Sequence, residues 1–252
     1  MNEFTDTHFH LLTMQEKGID LSTLSITSGM DIGCQCKDIY ARLPLINMFP
    51  GIVYSVGCGP WCTTREENAK ELVNILEKSI RDSSPVCIGE IGLDYFHQYG
   101  SREEQIELFI RQIDLANELN LPIAVHTRDA EEDTLKVLRE HPLKRESIMH
   151  CFSGSSKMAK ECIELNFSIS FSGTVTYKAN KELQAICKEM PSERVLLETD
   201  SPYLAPTPFR GTLNNPMKIS ATYDFVSALK EIEVDELKKL VKNNFNRIVE
   251  VS

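Results

Sequence analysis

Short apolar runs of three to five residues alternate with helix-patterned segments from one end of the chain to the other, and this alternation limits the fold more than any other property. Ile52-Val53-Tyr54-Ser55-Val56, Val86-Cys87-Ile88, Pro122-Ile123-Ala124-Val125, Ser147-Ile148-Met149, Phe167–Phe171 and Val195-Leu196-Leu197 are compact apolar runs interrupted only by serine. Such runs are strands covered on both faces, as in a parallel sheet. Residues 3–10 and the weaker 24–27 bring the expected strands to eight. Between them Ala69, Leu72, Val73, Leu76 and Ile80 fall on one helical face after a capping box expected at Thr64-x-x-Glu67. Ile106, Phe109, Ile110 and Ile113 follow Ser101-x-x-Glu104, and Leu183, Ile186, Cys187 and Met190 follow Asn180 as an expected N-cap. Leu237, Leu240, Val241 and Phe245 give the last helix its apolar stripe. Eight strands with intervening helices in 252 residues predict an α/β fold, a TIM-type (β/α)8 barrel in one domain over residues 1–252. Periodicity alone does not show closure, so an open doubly wound sheet is the alternative.

Composition narrows the setting. No apolar run approaches the roughly 18 to 20 residues that span a bilayer, and Met1-Asn2-Glu3-Phe4-Thr5-Asp6 runs directly into a strand rather than forming a signal peptide. A cytoplasmic location and no membrane association are expected. The eight cysteines are expected as reduced, mostly buried thiols. A structural zinc site at Cys34-x-Cys36 and Cys58-x3-Cys62 is the alternative, although neither pair has zinc-ribbon spacing. A net charge of −10 excludes a broad basic surface for non-specific duplex binding, so an anionic substrate must be attracted locally.

Polar residues at the strand tips carry the chemistry. His8 and His10 lie two apart in an extended segment and so share a face, with Asp6 two residues earlier placed to orient an imidazole. His126 follows Ile123-Ala124-Val125, and His150 follows Ile148-Met149. Glu90 and Asp200 end two other apolar stretches, where an unpaired carboxylate is costly to bury. Singly, each histidine reads as structural and each acid as half of a salt bridge. Together at one barrel rim they read as metal ligands. Glu198 shares the face of Asp200 and is expected to be a supporting base, an orienting group or a substrate contact, whereas His97 and His141 read as solvated. The mixed nitrogen and oxygen donors suit two divalent ions such as Zn²⁺, Mn²⁺ or Co²⁺ better than Mg²⁺ alone.

At these residues the chain resembles the TatD family of metal-dependent hydrolases. The matching segments are Asp6-Thr7-His8-Phe9-His10, Gly89-Glu90-Ile91-Gly92-Leu93-Asp94-Tyr95, Val125-His126-Thr127-Arg128-Asp129-Ala130, His150-Cys151-Phe152-Ser153-Gly154 and Leu197-Glu198-Thr199-Asp200-Ser201-Pro202-Tyr203-Leu204. The resemblance implies that His8, His10 and Asp200 hold one ion, His126 and His150 the other, and Glu90 both. It implies a phosphodiesterase, a deoxyribonuclease of the 3′–5′ exonuclease type, with Asp200 and Glu90 catalytic and DNA strands or ends as substrate. Arg128 then becomes the phosphate contact, against a surface ion pair with Asp129 or Glu131. An ester or amide hydrolase, such as one removing D-amino acids from tRNA, and an inactive metal-binding barrel are the alternatives. No obligatory protein partner is implied. One departure stands out: the family's Gly-x-His-Pro reads Gly57-Cys58-Gly59-Pro60 here, and Trp61 beside it offers either a stacking face for a base or packing for the rim.

Overall fold

Each apolar run pairs in parallel with the next along the chain. The strands are β1 (Asp6–Phe9), β2 (Gly29–Asp31), β3 (Ile52–Val56), β4 (Cys87–Asp94), β5 (Ile123–Arg128), β6 (Ser147–Met149), β7 (Phe167–Phe171) and β8 (Val195–Leu197), in the spatial order β1 to β8. Just beyond β8 the backbone turns onto β1. The Asp200 N–H donates to the His8 carbonyl at 2.9 Å, and the His10 N–H donates to the Ser201 carbonyl at 2.9 Å. That closure makes a (β/α) barrel rather than an open sheet. The structure is a computed structural model and describes residues 4–250, so Glu3 of the expected first strand lies outside the described residues.

Helices α1 (Leu11–Glu16), α2 (Ile39–Ile46), α3 (Ala69–Ser83), α4 (Arg102–Leu119), α5 (Glu131–Glu140), α6 (Ser156–Glu164), α7 (Lys181–Glu189), α8 (Ile219–Lys230) and α9 (Val234–Val249) fill the connections and the C-terminal end. Their buried residues, such as Leu72, Leu76 and Ile80 of α3 and Leu237, Val241 and Phe245 of α9, are those of the apolar stripes. The α4 box forms as expected, with Ser101 and Glu104 exchanging bonds of 2.7 and 3.2 Å. The α3 box does not. It is built by Asn68 and Glu71, because the glutamate that closes a box must lie in the first helical turn, and Thr64 and Glu67 precede that turn. Asn180 stands at the start of α7 without capping it, because its side-chain amide donates to the Thr174 carbonyl instead. Among the described residues no helix is long and apolar enough to cross a membrane.

The second strand is Gly29–Asp31, not the expected residues 24–27. A glycine and an aspartate do not register as strand interior in a hydropathy pattern, yet both are required here. A Cβ at Gly29 would stand 2.1 Å from the Asp6 carbonyl oxygen, so only glycine lets β1 and β2 approach this closely. Asp31 is fully buried, and Arg42 of α2, also buried, donates to it from Nε at 2.7 Å. The same guanidinium reaches the Ser55 carbonyl of β3 at 3.1 Å, while the other oxygen of Asp31 accepts from Leu11 N at 2.8 Å. One ion pair therefore joins β2, β3 and the residue that follows His10.

Not all thiols are free. Cys36 and Cys58, on the adjacent loops after β2 and β3, form a disulfide with their Cα atoms 5.3 Å apart. The expectation of eight reduced thiols is corrected at this pair, whose proximity comes from strand order and not from any spacing in the sequence. It also commits two of the four sulfurs that a structural zinc site would need. Arg42→Ala should destabilise the fold by about 3 to 5 kcal/mol, because it leaves the Asp31 charge buried and unpaired. Urea unfolding followed by circular dichroism measures this, and a loss below about 1 kcal/mol contradicts the role given to the pair.

Candidate metal centre

Strand alternation and closure bring the six expected ligands to one end of the barrel. His8 lies on β1 and His10 just after it, Glu90 on β4, His126 on β5, His150 just after β6, and Asp200 beyond β8 in the left-handed region at φ 53°. Aspartate tolerates that conformation better than most residues. Four overlapping donor groups result among the described residues, two of which bring in Glu198 beside His8 and His150, and Cys34 beside His10 and Glu90. The other two consist of expected ligands alone, His8 with His10 and Asp200, and Glu90 with His126 and His150.

Glu90 stands between the groups, one oxygen toward each. Its Oε2 lies 3.6 Å from His8 Nε2 and 3.9 Å from His10 Nε2. Its Oε1 lies 2.9 Å from His126 Nδ1 and 3.0 Å from His150 Nε2. Within the first group the two Nε2 atoms are 3.3 Å apart, and Asp200 Oδ1 is 3.3 Å from His10 and 3.7 Å from His8. Donors held about 2.1 Å from a four-coordinate ion stand roughly 3.4 Å from one another. The spacing of this group fits such an ion, and the Glu90 group is drawn in slightly tighter by its own hydrogen bonds.

A layer of polar residues behind the donors fixes the rings. Glu198 Oε1 lies 3.3 Å from His150 Nδ1, Asp94 Oδ2 lies 3.2 Å from His126 Nε2, and His10 Nδ1 faces the Ile32 carbonyl and Cys34 Sγ, each at 3.3 Å. Such contacts set the tautomer and orientation of a ligating imidazole. Glu198, expected as a supporting base, an orienting group or a substrate contact, has no exposed surface and lies behind His150. Asp6 does not orient a ring either. Its oxygens accept from Thr199 N at 2.9 Å and Thr199 Oγ1 at 2.6 Å, which leaves His8 Nδ1 without a partner. Asp94, which carries no role in the sequence reading, lies four residues after Glu90 on the same strand. His97, read as solvated, is 40% exposed and is anchored by Nδ1 to Asp94 at 2.8 Å.

At most of these donors charge outweighs burial, but at His8 burial and the neighbouring His150 together prevail and lower the imidazole. Burial would raise the pKa of Glu90, but His150, His126 and His8 hold it well below the usual carboxylate range. Asp200 is lowered in the same way, against burial, by His10, His8 and His150. Burial would lower His150, yet Glu90 and Glu198 raise it well above the ordinary imidazole value. His10 behaves alike, with Cys34 and Asp200 outweighing burial. Ionised acids beside proton-holding imidazoles form a centre in which protons occupy the place of cations.

Two further residues lie on the rim. Arg128 is exposed, and its guanidinium sits 4.0 Å from the centroid of the Phe96 ring. No ion pair joins it to Asp129 or Glu131 among the described residues, and Glu131 accepts from Ser155 instead. Trp61 is half-buried, donates from Nε1 to the Cys34 carbonyl at 2.7 Å, and turns toward His126 with ring centroids 5.8 Å apart. A Cβ at Gly59 would lie 2.1 Å from the indole. The indole therefore takes the space into which a side chain at position 59 would project.

Comparison with known proteins agrees with this architecture. The family model described as TatD related DNase matches residues 5–250. The chain is similar to the uncharacterized metal-dependent hydrolase YabD of Bacillus subtilis (strain 168), at 34% identity over 98% of this chain and 99% of that protein. It is likewise similar to the uncharacterized metal-dependent hydrolase YcfH of Escherichia coli (strain K12), at 36% identity over 98% and 95%. Among solved structures, the TatD homologue YJJV of Escherichia coli shares the fold with a TM-score of 0.86 at 23% identity, covering 99% of both chains.

Since His10 and His150 hold protons above the ordinary imidazole value of 6.5, metal uptake at pH 7 should release protons, and affinity should rise with pH above 6.5. In the metal-free protein the sign reverses. The stabilisation from these raised imidazoles is complete at lower pH and is lost as pH climbs through their elevated values. Calorimetry in buffers of different ionisation enthalpy tests the release, and a binding heat that does not depend on the buffer contradicts it. Glu198→Ala should weaken metal binding roughly 10- to 100-fold through the freed His150 ring. Competition with a chromogenic chelator reads that change, and unaltered affinity would remove Glu198 from the centre.

Proposed function

We propose that this chain, which belongs to the TatD related DNase family, is a two-metal phosphodiesterase acting on DNA strands or their ends. Membership of that family makes it a metal-dependent hydrolase. The Glu90 carboxylate, whose two oxygens face two separate donor groups, supports the two-metal reading. Four neutral imidazoles and two carboxylates contribute a charge of about −2, so two divalent ions leave the centre near +2. On a chain of net charge −10 this is a local attraction for phosphate within a surface that otherwise repels it.

Ions bound there supply Lewis acidity, making water a nucleophile near neutral pH and offsetting charge on the phosphate. The chain's own residues do the rest. Asp200, kept ionised by the imidazoles around it, accepts a proton as the oxygen of water bonds to phosphorus and the leaving oxygen departs. Glu198 and Asp94 keep His150 and His126 in register. Arg128 offers a guanidinium free of carboxylate partners to the phosphate oxygens of the flanking strand. Zn²⁺, Mn²⁺ and Co²⁺ suit the donor set.

With metals saturating, Asp200→Asn should lower kcat by about 10²- to 10⁴-fold while KM changes little. Equal losses in both would undermine its part as the base. Substrate class is tested by comparing single-stranded DNA, a chromogenic phosphodiester and D-aminoacyl-tRNA. Turnover of both phosphodiesters is expected, and turnover of the aminoacyl ester alone contradicts the proposal.

A further inference from the structure

A ladder of rings leads away from His126 along the loops after β3 and β4, and the metal centre does not account for it. Trp61 meets His126 on one side and Tyr99 on the other, the latter edge-on at 6.2 Å between centroids. Tyr99 stacks on His97 at 5.3 Å with planes 28° apart, and His97 meets Phe96 at 5.0 Å. Arg128 closes the series over Phe96. Core packing does not explain the outer rungs, since Phe96 is 55% exposed and His97 40%.

The rings are held by anchors other than one another. Trp61 is tied through its N–H to the Cys34 carbonyl, and His97 through Nδ1 to Asp94. Gln105 of α4 donates to the Tyr99 carbonyl at 2.5 Å. Gly59 leaves open the volume that the indole fills. Exposed rings that are already fixed lose little freedom on binding. Phe96 and His97 present ring surface to solvent while Trp61 and Tyr99 are half-buried beside them, and among the described residues the cation at the end has no carboxylate partner.

We propose that Trp61, Tyr99, His97 and Phe96 form a stacking platform for the unpaired bases of a strand whose phosphodiester lies at the metal centre, with Arg128 on a backbone phosphate. This inference rests on the phosphodiesterase reading and adds to it the surface that recognises the strand. Stacking tolerates every base, because every base has a π face, while a guanidinium both stacks and binds phosphate. A duplex, its bases already paired and stacked, gains nothing from such a platform.

Trp61 is the only tryptophan, so its emission reports on its own rung. The probe is a hydrolysis-resistant phosphorothioate oligothymidylate, titrated into the metal-loaded protein alongside an abasic strand of equal length. Saturable quenching is expected with the base-bearing strand and none with the abasic one. Phe96→Ala, at an exposed position that leaves the fold intact, should weaken binding of the base-bearing strand roughly 5- to 150-fold. Trp61→Phe should bind more tightly than Trp61→Ala, since one keeps a ring and the other does not. Arg128→Gln should reduce the slope of log affinity against log salt by about 0.7, one single-strand phosphate contact. If the oligothymidylate inhibits hydrolysis of a chromogenic phosphodiester yet neither quenches Trp61 nor responds to Phe96→Ala, the platform is wrong and the phosphodiesterase reading stands. If the chromogenic phosphodiester is not hydrolysed and the strand does not bind, both are wrong.

Discussion

Concentrating ionisable donors at a rim that water barely reaches is the constraint on which this structure turns. Glu90 is 4% exposed and His8 and His150 are 1% and 4%, so neither the acid nor the imidazoles are solvated in the ordinary way. Like groups at such distances are tolerated only when charge of the opposite sign lies among them. Protons meet the need in part, as the raised imidazoles and lowered carboxylates indicate. Divalent cations would meet it more completely, since each would replace several partial compensations at once. The unpartnered His8 Nδ1 and Glu198 Oε2 show that hydrogen bonding within the protein does not satisfy the cluster by itself.

The barrel provides the convergence. Parallel strands that all end at one rim place residues far apart in the chain within a few ångströms of one another. Closure between β1 and the segment after β8 sets His8, His10 and Asp200 side by side, with backbone bonds at Asp200 N and His10 N as the clasp. Beneath the clasp the Arg42–Asp31 pair holds β2, β3 and the start of α1 together. A buried ion pair therefore braces the segment that carries His10, one of the converging donors.

Much of this could be read from the amino-acid sequence, for reasons that differ from element to element. Strands β3 to β8 are legible from their compact, mostly apolar runs, as expected of strands covered on both faces. Strand β2 is not, because Asp31 makes it look polar and its neutralising partner lies eleven residues on, in a helix. The convergence of His8, His10, Glu90, His126, His150 and Asp200 is legible because they are polar residues at the tips of apolar runs. Their supporting residues are not, because the partner of a ring depends on where a neighbouring strand runs. Asp6, with the spacing of a supporting residue, bonds to Thr199, while Asp94, in plain view on β4, supports His126. Glu198 was assigned to the right region, but only its burial separates a group behind the imidazole from one facing substrate. The pairing of Cys36 with Cys58, and the indole over Gly59, depend on contacts between loops that no spacing encodes.

The central claim is that Glu90 joins two cation sites into one centre. Equilibrium dialysis against Mn²⁺ or Zn²⁺ followed by elemental analysis tests it most directly. The account predicts two equivalents per chain in the unaltered protein and no more than one in Glu90→Gln. One equivalent or none in the unaltered protein, with the same value in the variant, contradicts it.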